Sequence, residues 1–103
     1  MAQDKKLMLF DYETRRNKGQ IRFDPKSKDM HMKAVIDTCW NLSKQGHEFF
    51  TRARHAKSGT CADIVDIPWH TIIEVQDSEK DASIERKRKF WEGEGFSFEV
   101  IRV

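Results

Sequence analysis

Two apolar runs, CADIVDI (61–67) and HTIIEVQ (70–76), stand on either side of Pro68 and Trp69. Short runs rich in Ile and Val, separated by a two-residue break, predict two antiparallel strands joined by a tight turn. That pairing constrains the rest. With Pro68 and Trp69 as the turn, Ile67 faces His70, and counting back along both strands sets Asp63 opposite Glu74. Opposed residues point to one face with Cβ atoms about 4.5–5.5 Å apart. Period-two alternation adds Gln76 to that face and sends Ile73 and Val75 to the other. Two carboxylates held this close repel, so the sheet needs a shared proton, a neighbouring cation or a divalent metal. Hard cations such as Mg²⁺ take oxygen ligands, commonly one or two carboxylates with water and substrate phosphate. The plainer alternative is that the two acids are solvated or paired with Arg52 or Arg54.

The remaining elements follow from periodicity. Ser27 to Gly46 predicts a helix, with Ser27 or Asp29 as its cap and Gly46 as its stop. Met32, Val35, Ile36, Cys39, Trp40 and Leu42 recur at three- and four-residue steps as its apolar face. HEFFTRARH (47–55) predicts a strand and AKSGT (56–60) a turn. A second helix is expected over about 79–93, capped near Ser78 or Ser83, with Ala82, Ile84, Phe90 and Trp91 apolar and Gly93 and Gly95 at its end. FSFEVIRV (96–103) predicts the last strand. Residues 5–25 read as an N-terminal β-hairpin turning at RRNKG, and residues 27–103 as the core of a single domain spanning 1–103. Three strands with short links make an antiparallel meander, and the second helix returns the last strand parallel to the third. The expected class is therefore mixed α/β, αβββαβ, on a four-stranded sheet.

No apolar run approaches the roughly 20 residues that span a bilayer. The opening MAQDKKLMLF is too short and charged for a secretory signal. Cys39 and Cys61 form no CxxC pair, which suits a reducing cytoplasm, the host's if the chain is viral. Four histidines share no zinc spacing with either cysteine, and no Gly-rich phosphate loop is present. Cys61 lacks an obvious base and reads as a small buried residue. Trp40, Trp69 and Trp91 read as core or turn residues. Net charge is +2, but the cations cluster. Arg52, Arg54, His55 and Lys57 follow one strand, Arg86 to Lys89 lie on the second helix, and six more fall in the proposed hairpin. Such clusters around an acidic pair suit a phosphate backbone.

Taken in order, "CADIVDI", "IIEVQDS", "IERKRKFW" and "GFSFEVIRV" resemble the PD-(D/E)XK nuclease superfamily, closest to its small resolvase-like and competence-CoiA-like groups. The resemblance covers about residues 28–103 and leaves the amino-terminal segment outside. It implies a restriction-endonuclease-like core and a nuclease that needs Mg²⁺ or Mn²⁺. Asp63 and Glu74 match the metal-binding acids, Gln76 stands at the usual lysine position, and His31 matches a further position on the first helix. Gln76 would place the attacking water, while Arg52, Arg54, Lys57, Arg86 and Lys87 would bind nucleic acid, DNA rather than RNA. The alternative is an inactive nuclease-fold module that binds nucleic acid or protein. Two-fold pairing of sites in relatives that cut both strands implies a homodimer.

Overall fold

Phe49–Arg54 (β1), Cys61–Asp66 (β2) and Thr71–Gln76 (β3) form the expected meander in a computed structural model that describes residues 5–103. Residues 1–4, part of the stretch weighed as a leader, lie outside the described residues. Ser97–Arg102 (β4) completes a four-stranded sheet in the order β1-β2-β3-β4. β4 runs parallel to β3, from Thr71 opposite Ser97 to Gln76 opposite Arg102. The helix Asp81–Gly93 (α3) makes the crossover between them. The mixed α/β class, the strand order and the parallel return all agree with the sequence reading. No helix among the described residues is long and apolar enough to cross a membrane.

The sheet separates two apolar clusters. On one side Ile84 and Trp91 of α3 pack with Phe50, Val65, Ile72 and Phe98. On the other the helix Asp29–Lys44 (α2) packs Val35, Cys39 and Leu42 against Phe49, Ile64, Ile73 and Val75. Ile36 and Trp40, expected on that face, are instead exposed, Trp40 by 63%. Each lies one residue beyond a buried position, about 100° further round the helix, and so misses the sheet. Trp91 is a core residue, and Trp69 is exposed in its turn. Cys61, expected to be buried, is exposed at the first position of β2, whereas Cys39 is buried and its thiol is pushed up to about 12 by desolvation. The expected caps also differ. Lys28 and Lys80 hold the N-cap positions without side-chain capping bonds, while Gly46 ends α2 near φ +76° as expected.

The amino-terminal hairpin is not formed. Lys5–Leu9 is a 3₁₀ turn and Tyr12–Arg16 a short helix (α1) whose first N–H groups are served by Asp11, which accepts from the Thr14 amide at 2.8 Å. Burial overrides the β-prone run LMLF. Phe10 is 1% exposed among Phe50, Trp91 and Phe96, and a single bridge to His55 remains of strand pairing. Backbone bonds from Asp11 to Arg54, Ala56 to Leu9 and Gly19 to Phe49 then cover the outer edge of β1. An edge strand with unpaired amides invites association, and here an irregular segment closes it.

Candidate functional site

The β2–β3 register is the one read from the sequence: Ile64 pairs Ile73, Val65 pairs Ile72 and Asp66 pairs Thr71, with the His70 amide closing the turn onto the Ile67 carbonyl at 3.2 Å. The ladder stops one step short of Asp63 and Glu74. In place of a backbone partner, the Val75 amide donates to Asp63 Oδ2 at 2.8 Å. The β1–β2 ladder is interrupted at the same level, passing from Thr51·Ile64 to Ala53·Ala62 without an Arg52·Asp63 pair. Arg52 sits there at φ +46°, in left-handed space that a non-glycine residue seldom occupies. Strict alternation would separate Ala53 and Ala62 from Phe50 and Val65, yet all four join the cluster beneath α3. Both strands therefore change phase at Arg52 and Asp63, and the Asp63 carboxylate is released from the regular sheet into a cleft. Backbone irregularity of this kind concentrates at functional sites.

Around that break four side chains converge. His31, in the first turns of α2, brings Nε2 to 3.4 Å from Asp63 Oδ2. Glu74 is 1% exposed and its Oε1 has no hydrogen-bond partner among the described residues. Its carboxyl is pushed up to about 9, first by burial, then by the charge of Asp63 and a hydrogen bond shared with it, and against the pull of Lys87. Lys87 of α3 places Nζ 3.8 Å from Glu74 Oε2 and 3.1 Å from Glu79 Oε2. Lys87 therefore bridges the two acids and lies closer to Glu79. The cleft over these groups measures about 220 Å³ and is rimmed by Lys26, Lys28 and Asp77.

Gln76 shares the face of Glu74, with its Nε2 engaged elsewhere and its buried Oε1 without a partner among the described residues. Its Nε2 donates to the Glu79 carbonyl and to Asp81 Oδ1, both at 2.8 Å, and so ties β3 to the start of α3. Arg52 donates to the Phe23 carbonyl at 3.0 Å rather than to either acid. The partner of the acidic pair is therefore Lys87, not Arg52 or Arg54. Arg52 and Arg54 line a second, larger cleft, and Lys57 and Arg86 are exposed outside both. The structure thus brings Asp63, Glu74, His31 and Lys87 together and leaves Gln76 beside them. Lys87 was assigned from sequence to the phosphate-binding face. Three residues after Ile84 and four before Trp91, it lies on the stripe of α3 that faces the sheet, and this brings it to Glu74.

Among the described residues no three His, Cys, Asp or Glu side chains are grouped to hold a metal. What remains is a carboxylate pair with one unpartnered buried oxygen, which fits a cation that keeps water and phosphate as its other ligands. No protein-family model, curated protein or solved structure matches the chain.

Proposed function

We propose that the chain is a metal-dependent nuclease that hydrolyses phosphodiester bonds of nucleic acid, DNA in the first instance, at the Asp63/Glu74 pair. The observation that carries this reading is Glu74: a carboxyl 1% exposed, raised by burial and Asp63, with one oxygen unbonded at the floor of a cleft. An acid shifted this far beside a like charge is typical of catalytic sites. Asp63 and Glu74 would hold Mg²⁺ or Mn²⁺ in place of the proton they share. A cation bound there supplies Lewis acidity toward a phosphate oxygen and a bound water of lowered pKa.

The chain's own residues supply the rest. His31 and the Val75 amide fix Asp63 Oδ2, as second partners orient metal-binding carboxylates. Lys87 brings to the cleft the positive charge that Gln76 lacks, positioned to offset charge developing on phosphate. Through Nε2, Gln76 anchors the helix that carries Lys87, while its buried Oε1 has no partner among the described residues and is left to place the water. One observation favours the second reading, an inactive binding module: Lys87 already neutralises Glu79 and abuts Glu74, a self-contained arrangement.

Supercoiled plasmid and a labelled single strand, incubated with Mg²⁺, Mn²⁺ or EDTA, separate the two. Cleavage is expected with either metal, and none in EDTA or with Glu74→Ala. Binding without cleavage under every metal condition would replace the nuclease by the binding module.

A further inference from the structure

A second cleft, about 460 Å³, adjoins the first, and His31 and Asp63 line both. We infer that this larger cleft holds one unpaired nucleotide of the substrate strand, so that single-stranded nucleic acid or an unpaired strand end is preferred over continuous duplex. The inference rests on the nuclease reading for its orientation, since it places a nucleotide next to the carboxylate pair.

Size is the first argument. A volume in the range of small-ligand pockets takes one nucleotide, not a duplex. The second is the chemistry of the lining. Arg22, Arg52 and Arg54 supply guanidinium groups, Thr14 and Ser27 hydroxyls, and Asp11, Glu13 and Asp24 carboxylates. Such a mixed wall repels a run of phosphates but suits one phosphate together with the donors and acceptors of a base and sugar. Two of the arginines are fixed before any ligand arrives. Arg22 Nη2 donates to the Thr51 and Arg52 carbonyls at 3.0 and 2.8 Å, and Arg52 Nη1 donates to the Phe23 carbonyl. Arg22 Nε remains buried without a partner among the described residues.

The rim carries the third argument. Phe23 lies between Arg22 and Asp24, both lining residues, and is 62% exposed. Tyr12 lies between Asp11 and Glu13, also lining residues, and is 69% exposed, with the Arg16 guanidinium 6.0 Å from its ring centre. Phe23, whose carbonyl holds Arg52, and Tyr12, beside Arg16, are exposed rings next to lining residues and offer faces on which a base can stack. In a duplex both faces of each base are already stacked and its pairing edge is occupied, so only an unpaired base can use these rings.

Binding of one labelled oligonucleotide, alone and annealed to its complement, tests this, with Ca²⁺ replacing Mg²⁺ so that binding is read without turnover. Wild type should bind the single strand at least tenfold more tightly than the duplex. Phe23→Ala and Tyr12→Ala remove exposed rings and should leave the circular dichroism spectrum unchanged. Each should weaken single-strand binding about tenfold, the loss of one base–aromatic stack, and leave duplex binding unaltered. Equal or tighter duplex binding, no binding of either form, or no effect of both substitutions would overturn the assignment of the cleft. If metal-dependent cleavage persists in those cases, the nuclease reading stands alone. Selective single-strand binding with no cleavage under Mg²⁺ or Mn²⁺ would keep the cleft and remove the nuclease.

Discussion

The β2–β3 hairpin buries a carboxyl group near each end, and the two are treated differently. Near the turn, Asp66 is 4% exposed and accepts from His47 Nδ1 at 3.1 Å on one oxygen, with the other at 3.3 Å. The imidazole in turn packs against the Trp69 ring at 5.1 Å. At the far end, Glu74 is more deeply buried, faces a second acid and leaves Oε1 unbonded. Burial costs both groups solvation, but Asp66 engages both of its oxygens whereas Glu74 leaves one unpaired. A buried acid is therefore not by itself a sign of chemistry. An incompletely satisfied acid beside a cleft is, because the fold bears its cost without a structural return.

The largest expected difference is in activity. Glu74→Ala should reduce metal-dependent cleavage to background, and Asp66→Ala should retain it at temperatures where the variant is folded. Gel assays of both variants with Mn²⁺ check this, and equal losses would erase the contrast between the two ends. Lys87→Met should come next. It keeps the buried stem but removes the charge, and a fall in kcat exceeding any change in substrate affinity is expected if Lys87 acts on the developing phosphate charge.

Stability should show the reverse order. Asp66→Ala strips His47 of its partner and should cost about 1–3 kcal/mol in a urea melt. Glu74→Gln removes the titrating group and should stabilise the metal-free protein at neutral pH, where only the unfolded chain gains from ionising Glu74. The folded-state value of about 9 lies above the ordinary carboxylate value, so between those two pH values the folded protein holds a proton that the unfolded chain has released. Stability contributed by Glu74 is therefore complete below about pH 4.3 and declines as pH rises towards 9, by at most about 1.4 kcal/mol per pH unit. The stability difference between wild type and Glu74→Gln, followed over that window without metal, should fall with pH. A flat difference would mean that Glu74 is ionised in the folded state.

The smallest effect belongs to Gln76. Gln76→Ala loses two bonds to the start of α3 and should lower stability by about 1 kcal/mol. Its activity should fall through the lost Oε1 and any shift of α3 and Lys87, but by less than in Lys87→Met, which a comparison of the two variants would reveal.

Much of this contrast was legible from residues alone. The Pro68-Trp69 break fixed the register, and with it the approach of Asp63 to Glu74, because a tight turn leaves few alternative pairings. Helix periodicity located His31 on α2 and Trp91 in the core. The phase change at Arg52 was hidden, since left-handed backbone at an arginine has no local signal and arises from the surrounding packing. The hairpin over residues 5–25 failed for a related reason. LMLF satisfies strand propensity, but inserting Phe10 among three aromatic rings and covering the β1 edge outweighs it. The approach of Lys87 to Glu74 was not legible from the basic run Arg86–Lys89 alone, because it follows from the apolar stripe of Ile84 and Trp91 that passes through it.

The central claim, that Glu74 is left unsatisfied in order to share a cation with Asp63, is tested most directly by thermal melts of wild type and Glu74→Ala with and without Mn²⁺. The account predicts that Mn²⁺ raises the wild-type midpoint, by linkage of binding to folding. It also predicts that Glu74→Ala melts no lower than metal-free wild type and gains nothing from Mn²⁺. A wild type indifferent to Mn²⁺, together with a Glu74→Ala variant that melts markedly lower, would contradict it and make Glu74 a structural partner of Lys87.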